Sequence, residues 1–122
     1  MTQYMLLIYS DRDALAQMSE EDQAADMKRW YDYSDWLGQK GWIRAGDALH
    51  GTEQATSVRV EKGERLVTDG PFAETKEALG GYYLIDVPNL DDAIEAAAEC
   101  PGASYGTIEL RPVMELPERT EV

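Results

Sequence analysis

Three features of the sequence predict an α+β domain. A strand-helix-strand pattern spans residues 3–49 and recurs over 81–113. Two of its strand segments, Tyr4–Tyr9 and Tyr82–Val87, are apolar at successive positions, the habit of strands covered on both faces. Between the two units, Thr56–Glu61 and Arg65–Thr68 alternate apolar and polar residues around Lys62-Gly63, which reads as a hairpin. Two such units joined by right-handed crossovers form a ferredoxin-like sheet with two helices on one face. The hairpin is then an insertion between the halves. No linker or low-complexity segment divides the chain, so residues 1–114 form one domain, and 115–122 form a polar tail.

Each element has a local reason. Ser10-Asp11-Arg12-Asp13 ends the first strand, and Ala14–Met18 reads as a short turn. Ser19 suits a helix N-cap, with Asp22 three positions on, and Glu20, Glu21 and Asp22 suit the positive end of the helix dipole. Met27, Trp30, Tyr31, Ser34 and Leu37 follow helical spacing and predict the packing stripe of a helix over 19–40. Gly41 fits a left-handed stop. Trp42–Leu49 reads as the second strand, and Gly51–Ala55 as a loop. After the hairpin, Gly70-Pro71 forces a bend, and Gly80-Gly81 opens the next strand. Asn89 caps a second helix, with Leu90, Ala93, Ile94 and Ala97 as its stripe and Pro101-Gly102 as its stop. Thr107–Val113 is the last strand, with Pro112 at its end.

Composition narrows the partners. The 122 residues carry 11 basic and 24 acidic side chains, a net charge of -13. That excess repels phosphate backbones and anionic lipid, so neither nucleic acid nor a membrane surface is expected as a partner. It serves solubility equally well. Cys100 is the lone cysteine, which fits a reducing, cytoplasmic setting. The first residues lack the basic region and long apolar run of a signal peptide or membrane span.

Two helices cover one face of such a sheet. Along the first strand, however, Met5, Leu7 and Tyr9 point opposite to Tyr4, Leu6 and Ile8, and both sets are apolar. Each large apolar side chain left in water forgoes about 1.5–3 kcal/mol. The bare face therefore predicts a homodimer packed sheet on sheet, or a small-molecule ligand in a cleft, or both.

Asp69-Gly70-Pro71-Phe72, followed by Glu74-Thr75-Lys76-Glu77 and Gly80-Gly81-Tyr82-Tyr83, resembles the DGPF subgroup of YCII-related proteins. The opening Tyr4–Tyr9 run and the closing Glu109-Leu110-Arg111-Pro112-Val113 are similar to that family too, so the resemblance spans about residues 3–113. It implies a dimeric α/β-barrel with a small-molecule cleft on each protomer. Some relatives resemble lyases that act on ring compounds by acid-base chemistry. The subgroup's resemblance also implies a link to extracytoplasmic-function sigma factors, and so an alternative role as a non-catalytic accessory or regulatory protein. Shorter relatives carry a histidine on the first helix and an aspartate before the proline that ends the last helix. Here the first helix has no histidine, and Cys100 stands before Pro101, so that dyad does not carry over.

The residues that could carry chemistry each have a plainer reading beside the functional one. Asp69, at a strand end before Gly-Pro, is a candidate general base or ligand acceptor; it is equally a turn aspartate holding backbone amides. Glu74 and Lys76, with Glu77, either close a cleft or form a solvated ion-pair cluster. Phe72 walls an apolar pocket or anchors its loop in the core. His50 follows a strand three residues after Asp47, a carboxylate that a turn would bring within reach; otherwise it is an exposed loop histidine. Tyr9, Tyr82 and Tyr83 line a pocket, or pack in the core or at a dimer interface. Arg111 binds a ligand carboxylate or pairs across strands. No residue spacing suits zinc, no EF-hand loop is present, and Gly80-Gly81 precedes a strand rather than a phosphate-binding helix, so no metal and no cofactor is expected. The sequence thus predicts a small-molecule-binding protein, with acid-base, lyase- or isomerase-like chemistry on a small cyclic or aromatic compound. Neither composition nor motif decides between an enzyme and a binding protein.

Overall fold

The computed structural model describes residues 1–119. It is an α+β fold on one antiparallel sheet. Strand β1 is Thr2–Ser10, β2 Ile43–Ala48, β5 Ala78–Val87 and β6 Thr107–Pro112; the order across the sheet is β2-β5-β1-β6. Strands β3 (Thr56–Glu61) and β4 (Glu64–Asp69) pair only with each other as a projecting hairpin. Three α-helices, α1 (Arg12–Ala16), α2 (Glu20–Gln39) and α3 (Leu90–Glu99), and two short 3-10 helices, Thr52–Gln54 and Pro101–Ser104, complete the elements of the described residues. The segment expected as a turn over 14–18 is in part helical, because the Asp11 carboxylate accepts the Asp13 and Ala14 amides and starts α1.

The long helix α2 is delimited at both ends by its own sequence. Ser19 Oγ accepts the Asp22 amide at 3.1 Å. At the other end Gly41 adopts φ 72°, the Trp42 amide bonds to the Leu37 carbonyl at 3.1 Å, and the Gly41 amide bonds to the Gly38 carbonyl at 3.0 Å. That is a full Schellman motif, with Leu37 and Trp42, both buried, as its apolar contact. In the hairpin turn, Lys62 and Gly63 both have positive φ, as a type I′ turn requires.

The core lies between the helices and one face of the sheet. Tyr4, Leu6 and Ile8 from β1 and Ile85 and Val87 from β5 meet Tyr33 and Leu37 from α2, and Ala93 and Ala96 from α3. Both helices bury only part of the stripe expected: Leu37 and Ala93 are fully buried and Trp30 and Ala97 pack against the core. On α2 the stripe is rotated toward Tyr33, with Met27 52% and Tyr31 66% exposed. These two turn toward an open cleft described below. On α3 the small residues Ala93 and Ala96 take the line of closest approach, and Leu90 and Ile94 flank it half-exposed.

Strand β5 also begins earlier than expected, at Ala78. The register with β1 shifts between Ile8 and Tyr9, whose partners are Gly81 and Leu79, so Gly80 is the unpaired residue of a bulge. The opposite face of the sheet carries Met5, Leu7, Tyr9, Tyr82 and Leu84, half-buried by one another. The expected tail over 115–122 has no regular structure through Arg119; residues 120–122 lie outside the described residues.

One contact ties the layers together. Tyr33 Oη donates to the Ala96 carbonyl at 2.5 Å, satisfying a carbonyl in the last turn of α3. Burial holds the phenol far above the usual tyrosine range, so it keeps its proton. Tyr33→Phe should lower the urea-unfolding free energy by about 1–3 kcal/mol, the cost of orphaning a buried acceptor. An unchanged midpoint would show the bond to be idle.

Candidate binding cleft

Beside the core, α1, the N-terminal half of α2 and the β2–β5 edge of the sheet enclose an open cleft of about 830 Å³. It exists because backbone replaces side chains along its floor. Gly46, Gly80 and Gly81 all line it. A Cβ on Gly46 would come within 2.7 Å of Tyr83 Cδ1, and one on Gly81 within 3.0 Å of the Asp47 carbonyl oxygen. Glycine is therefore what lets β2 lie close over the Tyr83 ring. Met27, Trp30, Tyr31 and Leu15 supply apolar wall.

Two polar groups face this space from α2. At one end, Asp26 Oδ2 accepts from Trp30 Nε1 at 3.2 Å and from Tyr105 Oη at 3.1 Å. The same indole N–H lies 3.0 Å from Tyr105 Oη. Arg29 Nη1 stands 3.5 Å from Asp26 Oδ1, and the Asp26 side chain is only 18% exposed. Burial, with the Asp26 charge adding to it, pushes the Tyr105 phenol up to about 12, against the opposing bond from Trp30. Tyr105 thus remains a donor at neutral pH. Two turns along the helix, Ser34 Oγ and Tyr83 Oη are 2.7 Å apart. Burial raises the Tyr83 phenol as well, despite the lowering effect of Ser34.

At the mouth, Arg12 Nη2 donates to the Leu49 carbonyl. On the edge strand, Tyr82 Oη donates to Asp47 Oδ2 at 2.6 Å, and that bond, with the Asp47 charge, raises the Tyr82 phenol. Among the described residues, no group of three or more His, Cys, Asp or Glu is placed to hold a metal ion. No helix among them is long and apolar enough to cross a membrane.

Of the residues singled out in the sequence, Tyr83, Asp47 and Tyr82 border the cleft, although the Asp47 and Tyr82 side chains pair on the sheet face away from α2. The others are dispersed. Tyr9 lies on the far face of the sheet, its Oη 3.5 Å from Glu109 Oε1, and Arg111 is exposed opposite Met5. His50 is exposed past the end of β2, and the carboxylate of Asp47 is engaged by Tyr82 instead. Asp69 is exposed at the end of β4, opposite Thr56. The bend after it is held by Ser57 Oγ on the Gly70 carbonyl at 2.7 Å and by the Gly70 amide on the Ala55 carbonyl. Glu74 and Lys76 are exposed on the following loop, which Glu77 docks to β6 through Thr107 Oγ1 at 2.8 Å. Phe72 is 92% exposed, so within one protomer it is neither a core anchor nor a pocket wall.

Of the groups that do converge, Tyr83 was a candidate pocket residue in the sequence, while Asp26, Trp30, Ser34 and Tyr105 drew no candidate role there. Spacing offered one signal: Asp26, Trp30 and Ser34 recur every four residues, on one side of a helix. Nothing in the sequence joins Asp26 to Tyr105, 79 positions away.

Residues 2–117 match the model of the YCII-related domain. An uncharacterized protein of Rhizobium meliloti (strain 1021) is 38% identical over 117 residues, covering 90% of each chain.

Burial of the Tyr105 phenol, reinforced by Asp26, has a pH signature. Below pH 10 the tyrosine is protonated in both folded and unfolded chains. Between about 10 and 12 the unfolded chain releases the proton first, so stability falls as pH rises through this window. Tyr105→Phe should make that fall shallower in urea titrations between pH 9 and about 12. A slope identical to that of the parent protein would exclude a raised Tyr105 phenol.

Proposed function

The chain belongs to the YCII-related family, and from that premise we propose that it is a dimeric small-molecule-binding protein whose ligand occupies the cleft beside α2. Within the family the DGPF subgroup is the best fit, on Asp69-Gly70-Pro71-Phe72 and the loop that follows it. The strand order β2-β5-β1-β6, with two strand-helix-strand units, supports a ferredoxin-like sheet. The uncovered row of Met5, Leu7, Tyr9 and Leu84 supports pairing of two such sheets into a barrel.

The observation that carries the reading is the convergence of Asp26 and Tyr105 on a cleft with apolar walls. A concave site with few, oriented polar groups is the usual form of a small-molecule pocket. The carboxylate, fixed by two donors and mostly shielded from water, is the group able to take a proton from a bound compound. Acid-base chemistry on a small cyclic or aromatic compound suits such a site. The same convergence favours this reading over a purely regulatory protein, which needs no aligned titratable groups.

Isothermal titration with small hydroxylated ring compounds tests the proposal. Met27→Trp, at a half-exposed cleft position, should fill the space, weaken binding about tenfold or more, and leave the fold intact. Undiminished binding by this variant would place the ligand elsewhere. Sedimentation at micromolar concentration should show a dimer; a compact monomer would overturn the paired-sheet architecture.

A further inference from the structure

Resting on that cleft as the binding site, we infer that its ligand is a flat ring compound with a hydrogen-bond donor at one end and a carbonyl-type acceptor at the other. The donor end meets Asp26, and the acceptor end meets the Ser34–Tyr83 hydroxyl pair.

The polarity follows from counting protons and lone pairs. Asp26 Oδ2 already accepts from Trp30 and Tyr105. Its Oδ1 has only Arg29 Nη1 at 3.5 Å, so it retains lone pairs for a further donor. A carboxylate offers no proton, so the ligand group here must bring one. Ser34 and Tyr83 are the reverse case. Two hydroxyls 2.7 Å apart share one hydrogen bond, which uses one of their two protons. Neither makes a second bond among the described residues. The remaining proton is left for an acceptor in the cleft, which both residues line.

The spacing sets the size. Asp26 and Ser34 are eight residues apart on α2, about 12 Å along the axis at the usual helical rise. Hydrogen bonds of about 2.8 Å at each end leave roughly 6–7 Å between the ligand's polar atoms. This is the span of one six-membered ring with substituents at opposite positions. Trp30 lies midway, its indole N–H pinned by Asp26 and Tyr105, as an apolar wall for that ring. The net charge of -13 disfavours an anionic carboxylate at the acceptor end and favours a neutral carbonyl.

The experiment uses the full chain and three probes, 4-hydroxyacetophenone, acetophenone and phenol, with tryptophan fluorescence and calorimetry as readouts. The bifunctional compound should bind about tenfold tighter than either single-function compound, as expected for one well-made hydrogen bond in a shielded site. In Asp26→Asn the amide oxygen turns to Trp30 and Tyr105 and leaves an NH₂ toward the ligand. This variant should lose the preference for 4-hydroxyacetophenone over acetophenone. The double variant Ser34→Ala/Tyr83→Phe should lose the preference over phenol; either single change leaves one hydroxyl able to donate. Near-UV circular dichroism checks that both fold. Equal binding of all three probes, or full selection retained by either variant, overturns the inference and leaves the cleft reading standing. No binding by any probe overturns both.

Discussion

Tyr33 sits where three layers meet. Its ring packs edge-on against Tyr83 of the sheet at 5.5 Å, stacks on Trp36 at 5.9 Å and meets Trp30 edge-on at 6.4 Å, while its hydroxyl reaches α3. An aromatic side chain can do this because it couples a large apolar body to one polar tip. The position of α2 over the sheet, and hence the direction in which Asp26 and Ser34 point, follows from this packing. Because Trp30 and Tyr83 both contact Tyr33 and both line the cleft, the wall of the site is an extension of the core. Such a wall is preorganised: the side chains that would meet a ligand already have their rotamers set by packing.

The cleft itself is made by omission. Where α2 leaves the sheet, the sequence supplies Gly46, Gly80 and Gly81 instead of large side chains, and the bulge at Gly80 re-aims the start of β5. The Leu49 amide bonds to the Gly80 carbonyl at 2.9 Å, so the irregular stretch remains tied to its neighbour. Gly102 plays a similar part below Trp30, where a Cβ would lie 3.3 Å from Trp30 Cη2 and 3.2 Å from Ile8 Cγ2. Close backbone approach therefore seats the indole as well as opening the floor in front of it.

The strands, the caps and the hairpin turn were legible because each has a local cause. Ser19, Gly41, Lys62-Gly63 and Asn89 act within a few residues of themselves. Helix phase was less legible. Met27 and Tyr31 are apolar and correctly spaced for a core stripe, yet they border a cleft, and periodicity cannot tell a core from a pocket wall. Of the polar cluster only Tyr83 stood out, as one of three candidate pocket tyrosines; the rest was not legible, since it depends on Tyr105 and Tyr83 reaching α2 across the fold. The loop after Asp69 drew attention through its composition, but charge and turn residues are also what an exposed connection needs. Glu77 ties that loop to the sheet through Thr107.

Strand β2 lies at the margin of the sheet, with β5 as its one neighbour and most of its side chains exposed. Its other flank offers free amide and carbonyl groups to any extended chain that drifts near, which is how β-proteins zip together into aggregates. Thirteen surplus negative charges per chain oppose such edge-to-edge contact at neutral pH. Their mutual repulsion fades as acidification nears the isoelectric point of about 4.3, and there the open margin becomes a seed for self-association.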